Sequence, residues 1–156
     1  TYGKNRYLFE SFIRYRFKKC HIIRLPALFG KGLKKNIIYD LLKNNNVMKI
    51  PVNSTFQWYD LMWLKEDIDI CINKNIKICN LFTEPLHTEF IIEMFDQYDY
   101  SKNPTTEIYY DMCTKYFKFF PRGKSLNNTE NGYIRTKFEV LNSLKDFINE
   151  SILHNE

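Results

Sequence analysis

The chain has 156 residues, of which 44% are hydrophobic and 17% aromatic. This length and composition predict one folded domain with a sizeable core, and they exclude a disordered chain. No apolar run reaches the roughly 18 residues that a membrane span needs. The first residues do not have the pattern of a signal peptide, so we expect a cytoplasmic protein without a membrane partner.

Positive charge is concentrated in the first third of the chain. The formal net charge is +5, and residues 1–50 contain 12 Lys or Arg but only 2 Asp or Glu. A basic region of this kind suits a phosphate-bearing ligand or a nucleic acid. A solvated lysine-rich face explains the same pattern, and the sequence leaves both interpretations open.

The cysteines are scattered and form no CxxC motif. They predict reduced thiols, with no disulfide framework and no metal site. They are Cys20, Cys71, Cys79 and Cys113.

The spacing of apolar residues predicts alternating helices and strands. The elements expected in the first half are a helix, a buried strand, a helix and two short strands, over residues 1–18, 21–29, 33–42, 48–52 and 55–59. Pro26 predicts that the first strand ends there and continues as a loop.

The second half continues this alternation. Asp60 is expected to cap a helix that runs to residue 72, and Thr88 one that runs to residue 95. The other expected elements are a strand at 76–82, a turn at 83–85, an irregular region at 97–132 and a helix at 133–152. Strands that alternate with helices indicate an α/β fold with a parallel sheet.

Tyr2 and Arg6 lie four residues apart in the first predicted helix. Residues at this spacing share one helix face, so the phenol and the guanidinium are expected to be neighbours. Glu10 continues the same spacing. Such a pair is either an ordinary surface contact or part of an acid/base site.

Four segments together resemble the extended short-chain dehydrogenase/reductase family, which includes the NAD-dependent epimerases and dehydratases. YGKNR at 2–6 with Glu10 resembles the family's Tyr-x-x-x-Lys helix, and IIRLPALFG at 22–30 resembles the strand that follows it. FQWYDL at 56–61 and NLFTEP at 80–85 resemble two later segments. The family's glycine-rich dinucleotide fingerprint does not occur in the chain.

The resemblance implies that residues 1–156 form the C-terminal portion of one NAD(P)-binding domain, without its first dinucleotide-binding half. The implied fold is α/β, with the C-terminal portion of a Rossmann-like parallel sheet and a small mixed substrate-binding subdomain at about 83–156. The implied activity is that of an epimerase, dehydratase or reductase acting on a sugar or nucleotide sugar. If the chain is only half of such a sheet, one apolar face is left uncovered, so association as a homodimer is expected. A nucleic-acid partner is not expected for a member of this family.

The resemblance also implies roles for individual residues. Tyr2 would be the acid/base, and Arg6, which stands where the family has lysine, would stabilise the phenolate and bind the cofactor ribose. The cofactor would be NAD or NADP. The residues that would touch it are Arg6, Pro26, Ala27 and Leu28, and those that would touch substrate are Gln57, Trp58 and Tyr59.

Two alternatives to the enzymatic interpretation remain at this point. The arginine in place of lysine is compatible with a non-catalytic member of the fold that binds a dinucleotide or serves as a scaffold. The basic first third is also compatible with a nucleic-acid-binding module, whose binding would weaken steeply with salt.

Overall fold

The computed structural model describes residues 2–95, 99–127 and 129–153. These residues form five α-helices: α1 Tyr2–Arg16, α2 Ile37–Leu42, α3 Leu64–Asn73, α4 Thr88–Ile92 and α5 Lys137–Leu153. They also form eight short strands: β1 Ile22–Arg24, β2 Ala27–Phe29, β3 Thr55–Phe56, β4 Trp58–Asp60, β5 Ile78–Asn80, β6 Leu86–His87, β7 Lys124–Ser125 and β8 Gly132–Tyr133. Thr1, and residues 97, 98 and 128 of the predicted irregular region, lie outside the described residues.

The strands associate as four two-stranded sheets in the described part of the chain. β1 pairs in parallel with β5, and β2 pairs in parallel with β4. β3 with β6 and β7 with β8 are antiparallel. The prediction of a mixed α/β chain with parallel strand pairing is therefore confirmed.

The prediction of one buried strand over residues 21–29 is corrected in two respects. Residues 25 and 26 separate β1 from β2, and the two strands pair with different partners. Pro26 lacks an N–H group, so a continuous ladder is interrupted there. β1 is also not buried, because Ile22 and Ile23 are half-buried and Arg24 is exposed.

The predicted strand at 48–52 is wrong. A 3-10 turn occupies Val47–Lys49 and follows Asn46 in the left-handed region, with φ 51°. The Asn103 side-chain amide donates to the carbonyls of Val47 and Ile50, at 2.7 and 3.1 Å. The Asn103 side chain, which is distant in sequence, thus satisfies two carbonyl groups. In a strand, these carbonyls would have accepted from the backbone of a neighbouring strand.

Helix boundaries shift where capping side chains act. The Asn36 carboxamide accepts from the N–H groups of Ile38 and Tyr39, so α2 begins at Ile37 rather than Leu33. Asp60 does cap the turn before α3, because it accepts from the Met62 N–H. The Thr88 hydroxyl instead donates to the Ser54 carbonyl at 2.8 Å, and α4 ends at Ile92.

Two groups of buried side chains form the core. One contains residues from β2, α2, β4 and α5, including Phe29, Ile38, Trp58 and Leu144. The other contains Tyr59, Cys71, Cys79, Leu81 and Ile134. Within the described residues, no helix is both long and apolar enough to cross a bilayer.

A buried ion pair lies beside the second group. Arg135 Nη2 donates to Asp67 Oδ1 at 2.9 Å, and the Tyr59 hydroxyl donates to Asp67 Oδ2 at 2.8 Å. Burial raises the pKa of the Asp67 carboxyl, and the Arg135 charge opposes that rise. Burial and the Asp67 charge raise the pKa of the Tyr59 phenol well above its ordinary value, so this phenol stays neutral.

Candidate functional site

Helix α1 lies on the outside of the molecule, and none of its residues is buried. The residues that approach the rest of the protein are Glu10, Ser11 and Ile13, each half-buried. Most of its large apolar side chains are exposed, including Tyr2, Tyr7, Leu8, Phe9, Phe12 and Tyr15. The helix therefore presents side chains to solvent on most of its surface.

An ion pair attaches α1 to the end of β1. The Arg24 guanidinium donates from Nε to Glu10 Oε1 at 2.9 Å and from Nη2 to Glu10 Oε2 at 2.6 Å. This is the two-pronged geometry that gives arginine–carboxylate pairs their directionality. The hydrogen bonds lower the pKa of the Glu10 carboxyl and raise the pKa of Arg24. Glu10 is thus the carboxylate partner of Arg24.

Tyr2 and Arg6 are neighbours on the exposed face of α1. The Arg6 guanidinium carbon lies over the Tyr2 ring, 4.8 Å from its centroid, and Tyr2 is 71% exposed. The expectation of a shared helix face is confirmed. The cation contacts the face of the ring, an arrangement worth about 0.5–1 kcal/mol at an exposed site. The phenol remains open to a ligand.

A polar cleft of about 580 Å³ lies beside β5 and reaches the last residues of β1 and β5. Its lining includes Arg24 and Asn80, which are register partners in the parallel pair, together with Lys77 and Lys115. The Asn80 side-chain oxygen is buried and has no hydrogen-bond partner among the described residues. In α/β folds, ligands bind at the carboxyl ends of parallel strands.

Three of the residues predicted to touch the cofactor lie shortly after Arg24 in the chain. Pro26, Ala27 and Leu28 are all half-buried. The Ala27 N–H donates to the Gln57 carbonyl at 3.1 Å, and the Leu28 carbonyl accepts from Asn36 Nδ2 at 2.6 Å. The backbone of this connection is therefore fixed by hydrogen bonds, which holds it next to the ion pair.

The three residues predicted to touch substrate are buried. Gln57 is 2% exposed, and Trp58 and Tyr59 are exposed no more than 1%. The Gln57 amide donates to the carbonyls of Thr83 and Met112, at 2.6 and 2.7 Å, and accepts from the Met112 N–H at 2.9 Å. The structure thus places these side chains in the core and does not bring them to the surface that carries Tyr2 and Arg6.

The described residues fit only one end of a nicotinamide dinucleotide. The exposed Arg6 guanidinium has donors for ribose hydroxyls, and the 26–28 connection offers half-buried apolar groups. Gly30 and Gly32 follow β2 with φ 146° and 84°, but α2 begins only at Ile37. A tight glycine-rich turn that leads straight from a strand into a helix, as pyrophosphate binding requires, is thus absent from the described residues.

Sequence reasoning missed the cleft and the buried ion pair. The alternating pattern at 76–82 does predict from local sequence that Ile78 and Asn80 share one face of β5. The approach of Lys115 to Asn80, and of Arg135 to Asp67, depends on long-range folding that no local pattern reports. Comparison with known proteins adds nothing here, since no family model, curated protein or solved structure matches the chain.

Proposed function

We propose that the chain is the C-terminal portion of an NAD(P)-dependent epimerase, dehydratase or reductase of the extended short-chain type, acting on a sugar or nucleotide sugar. One observation carries the proposal: Tyr2 and Arg6 share the open face of a helix that the Glu10–Arg24 ion pair fastens to a parallel strand. An acid/base phenol and a cation on a helix next to such a strand are the arrangement that this chemistry uses.

In this proposal Tyr2 exchanges a proton with a substrate hydroxyl or carbonyl oxygen. Arg6 holds positive charge beside the phenol and donates to ribose hydroxyls. Pro26, Ala27 and Leu28 would line part of the cofactor site. A bound nicotinamide dinucleotide would supply hydride transfer. Residues 83–156 supply a substrate subdomain.

A second candidate is a non-catalytic member of the same fold that binds a dinucleotide or a partner. Its support is the position of Arg6, whose guanidinium lies over the Tyr2 ring face rather than beside the hydroxyl. Arginine keeps its proton at every physiological pH, so it takes no part in proton transfer. The exposed apolar side chains of α1 support association with a second copy in either case.

Cofactor binding by the protein from its complete open reading frame is the first test. NADH and NADPH are titrated while nicotinamide fluorescence is followed, and saturable binding is expected. Arg6→Ala should weaken that binding, because it removes the ribose donors. Lys65→Ala, on the exposed face of α3, is the matched control and should leave binding unchanged. The absence of any saturable binding would contradict the enzymatic proposal and the dinucleotide-binding form of the second candidate, and would leave only a scaffold that binds a partner.

Turnover separates the two candidates. With a nucleotide-sugar panel, wild-type protein should turn over at least one substrate, and Tyr2→Phe should abolish turnover while cofactor binding persists. The change removes one oxygen from an exposed side chain, so folding is not at risk. If Tyr2→Phe turns over substrate as fast as wild type, the enzymatic proposal is wrong. If wild type binds cofactor but turns over nothing, the non-catalytic candidate stands.

A further inference from the structure

A cavity of about 430 Å³ lies between the 30–36 connection, α2 and α5. Its volume is within the range of about 300–1,000 Å³ that is usual for small-molecule sites. The chain turns around it after β2, where Gly30 and Gly32 have positive φ angles of 146° and 84°. A side chain at Gly30 would come within 3.1 Å of Leu61, so glycine lets the connection pass close to the body of the protein.

The floor of the cavity is apolar. It is formed by Phe29, Ile38, Leu42 and Phe147, and the rings of Phe29 and Phe147 lie 5.9 Å apart. Phe29 and Ile38 belong to the first core group, and each is 1% exposed. Phe29 and Ile38 therefore anchor the floor in the core, and the half-buried Leu42 and Phe147 supply its accessible apolar surface.

The rim of the cavity is cationic. Lys31, Lys34, Lys35 and Lys43 line it, and no Asp or Glu is among the described residues that line it. Lys34, Lys35 and Lys43 are exposed and form no ion pair with the described part of the chain. Cations around an apolar floor are complementary to a ligand that carries both an anionic group and an apolar body.

We propose that this cavity binds an alkyl or acyl anion, with its apolar chain on the floor and its phosphate or carboxylate head at the lysine rim. A nucleotide fits less well, because the Asn36 amide at the rim already makes three hydrogen bonds inside the protein. Its oxygen accepts twice and one of its two N–H groups is used, so little of this amide is left to read a base edge. The site shares no residue with Tyr2, Arg6 or the 26–28 connection and does not depend on the function proposed for them.

Calorimetric titration with octyl phosphate tests the proposal on the intact chain. One saturable site is expected, and binding should weaken as NaCl is raised, since the rim lysines are exposed to screening. Inorganic phosphate lacks the alkyl chain of octyl phosphate, and 1-octanol lacks its charge. Each should bind at least about tenfold more weakly than octyl phosphate if floor and rim act together.

Charge reversal locates the site. Lys34→Glu with Lys35→Glu should weaken octyl phosphate binding by about tenfold or more, because two attractions become repulsions. Lys18→Glu with Lys19→Glu changes the net charge equally at exposed positions just after α1 and should weaken it less than about twofold. All four positions are exposed, so the folded state should persist and circular dichroism should confirm this.

Three results would overturn the proposal. Equal weakening by the two double variants would mean that net charge or the apolar surface of α1, and not the cavity, attracts the ligand. Binding of inorganic phosphate as tight as that of octyl phosphate would mean that the apolar floor contributes nothing. Binding of adenosine monophosphate tighter than octyl phosphate would assign the cavity to nucleotides instead.

Discussion

Arg135 and Asp67 form an ion pair in which the arginine side chain is 6% exposed and the aspartate is fully buried. The Arg135 guanidinium also donates to the Ile134 carbonyl at 2.9 Å and lies over the Trp63 ring, 5.3 Å from its centroid. The pair joins α3 to the chain just before α5. Charges taken out of water in this way must remain paired, because each alone is costly to bury.

Asp67→Asn should therefore destabilise the protein by about 3 kcal/mol or more, since it leaves a buried guanidinium without a counter-charge. Denaturant unfolding measures the loss. Asp69→Asn is the matched control on the same helix, where the carboxylate is 54% exposed and pairs with Lys65. It should change the free energy of unfolding by less than about 0.5 kcal/mol. Equal effects of the two variants would contradict a structural role for the buried pair.

Gln57→Leu should lower the free energy of unfolding by about 1–3 kcal/mol. The change leaves the part-buried Met112 N–H without an acceptor and two carbonyls, of which that of Thr83 is buried, without their donor. Thermal unfolding of the protein without ligand measures this. An unchanged melting temperature, together with weaker substrate binding, would instead support the role in substrate contact that the sequence predicted.

Gly132→Ala should destabilise β7 and β8 by about 2 kcal/mol. An added Cβ would lie 2.0 Å from the Lys124 carbonyl oxygen and 2.8 Å from the Phe117 ring, so the strands would have to separate. Gly3→Ala is the control, because no atom lies within 4 Å of the added group. This control should stabilise α1 by about 0.5–1 kcal/mol through helix propensity. A Gly132→Ala variant as stable as wild type would show that the pairing is looser than the structure indicates.

Removal of the Glu10 charge should loosen α1. In Glu10→Gln the Arg24 pair loses its ionic component, which is worth at most about 1 kcal/mol at a partly exposed site. Backbone relaxation of the α1 amides by NMR should show greater motion, while the rest of the chain is unaffected. Glu107→Gln, at an exposed carboxylate outside α1, should leave that relaxation unchanged. Rigid α1 amides in the Glu10→Gln variant would contradict an attachment through this pair.

The same attachment should depend on pH. The pKa of the Glu10 carboxyl is lowered from its ordinary value of 4.5 by the hydrogen bonds from Arg24. The stabilisation is therefore fully present above pH 4.5 and is lost as the pH falls through the lower pKa of the folded state. Relaxation of α1 recorded from pH 7 downwards should reveal this transition. It should be missing in Glu10→Gln, and a transition that persists there would assign it to another group.

Local sequence patterns were enough to predict the elements whose residues have clear helical spacing or a capping side chain. The helical spacing of residues 1–18 and the capping carboxylate of Asp60 both correspond to observed features. The turn at residues 47–49 was not predictable, because it depends on Asn103, whose contact is more than fifty residues away in the chain. The register of Arg24 against Asn80 is likewise set only when β1 and β5 meet.

The last helix shows a limit of a different kind. Apolar residues at helical spacing in it include Phe138 and Ile152, which are 68% and 58% exposed, whereas Val140, outside that spacing, is fully buried. Periodicity identifies a helix but does not fix its rotation to better than about one residue. The partner surfaces on β4 and α2 decide which side chains are covered. For the candidate site, the sequence predicted the neighbours Tyr2 and Arg6 but not the burial of residues 57–59.

The Glu10–Arg24 ion pair that attaches α1 is partly exposed, which makes the overall dimensions of the molecule sensitive to its surroundings. Concentrated electrolyte screens that pair, so the helix should swing outward and increase the radius of gyration in small-angle scattering. The aromatic side chains that α1 displays would then meet those of other molecules more often. Dilute and concentrated samples of the same protein should accordingly differ in their sedimentation behaviour, and high ionic strength should widen that difference.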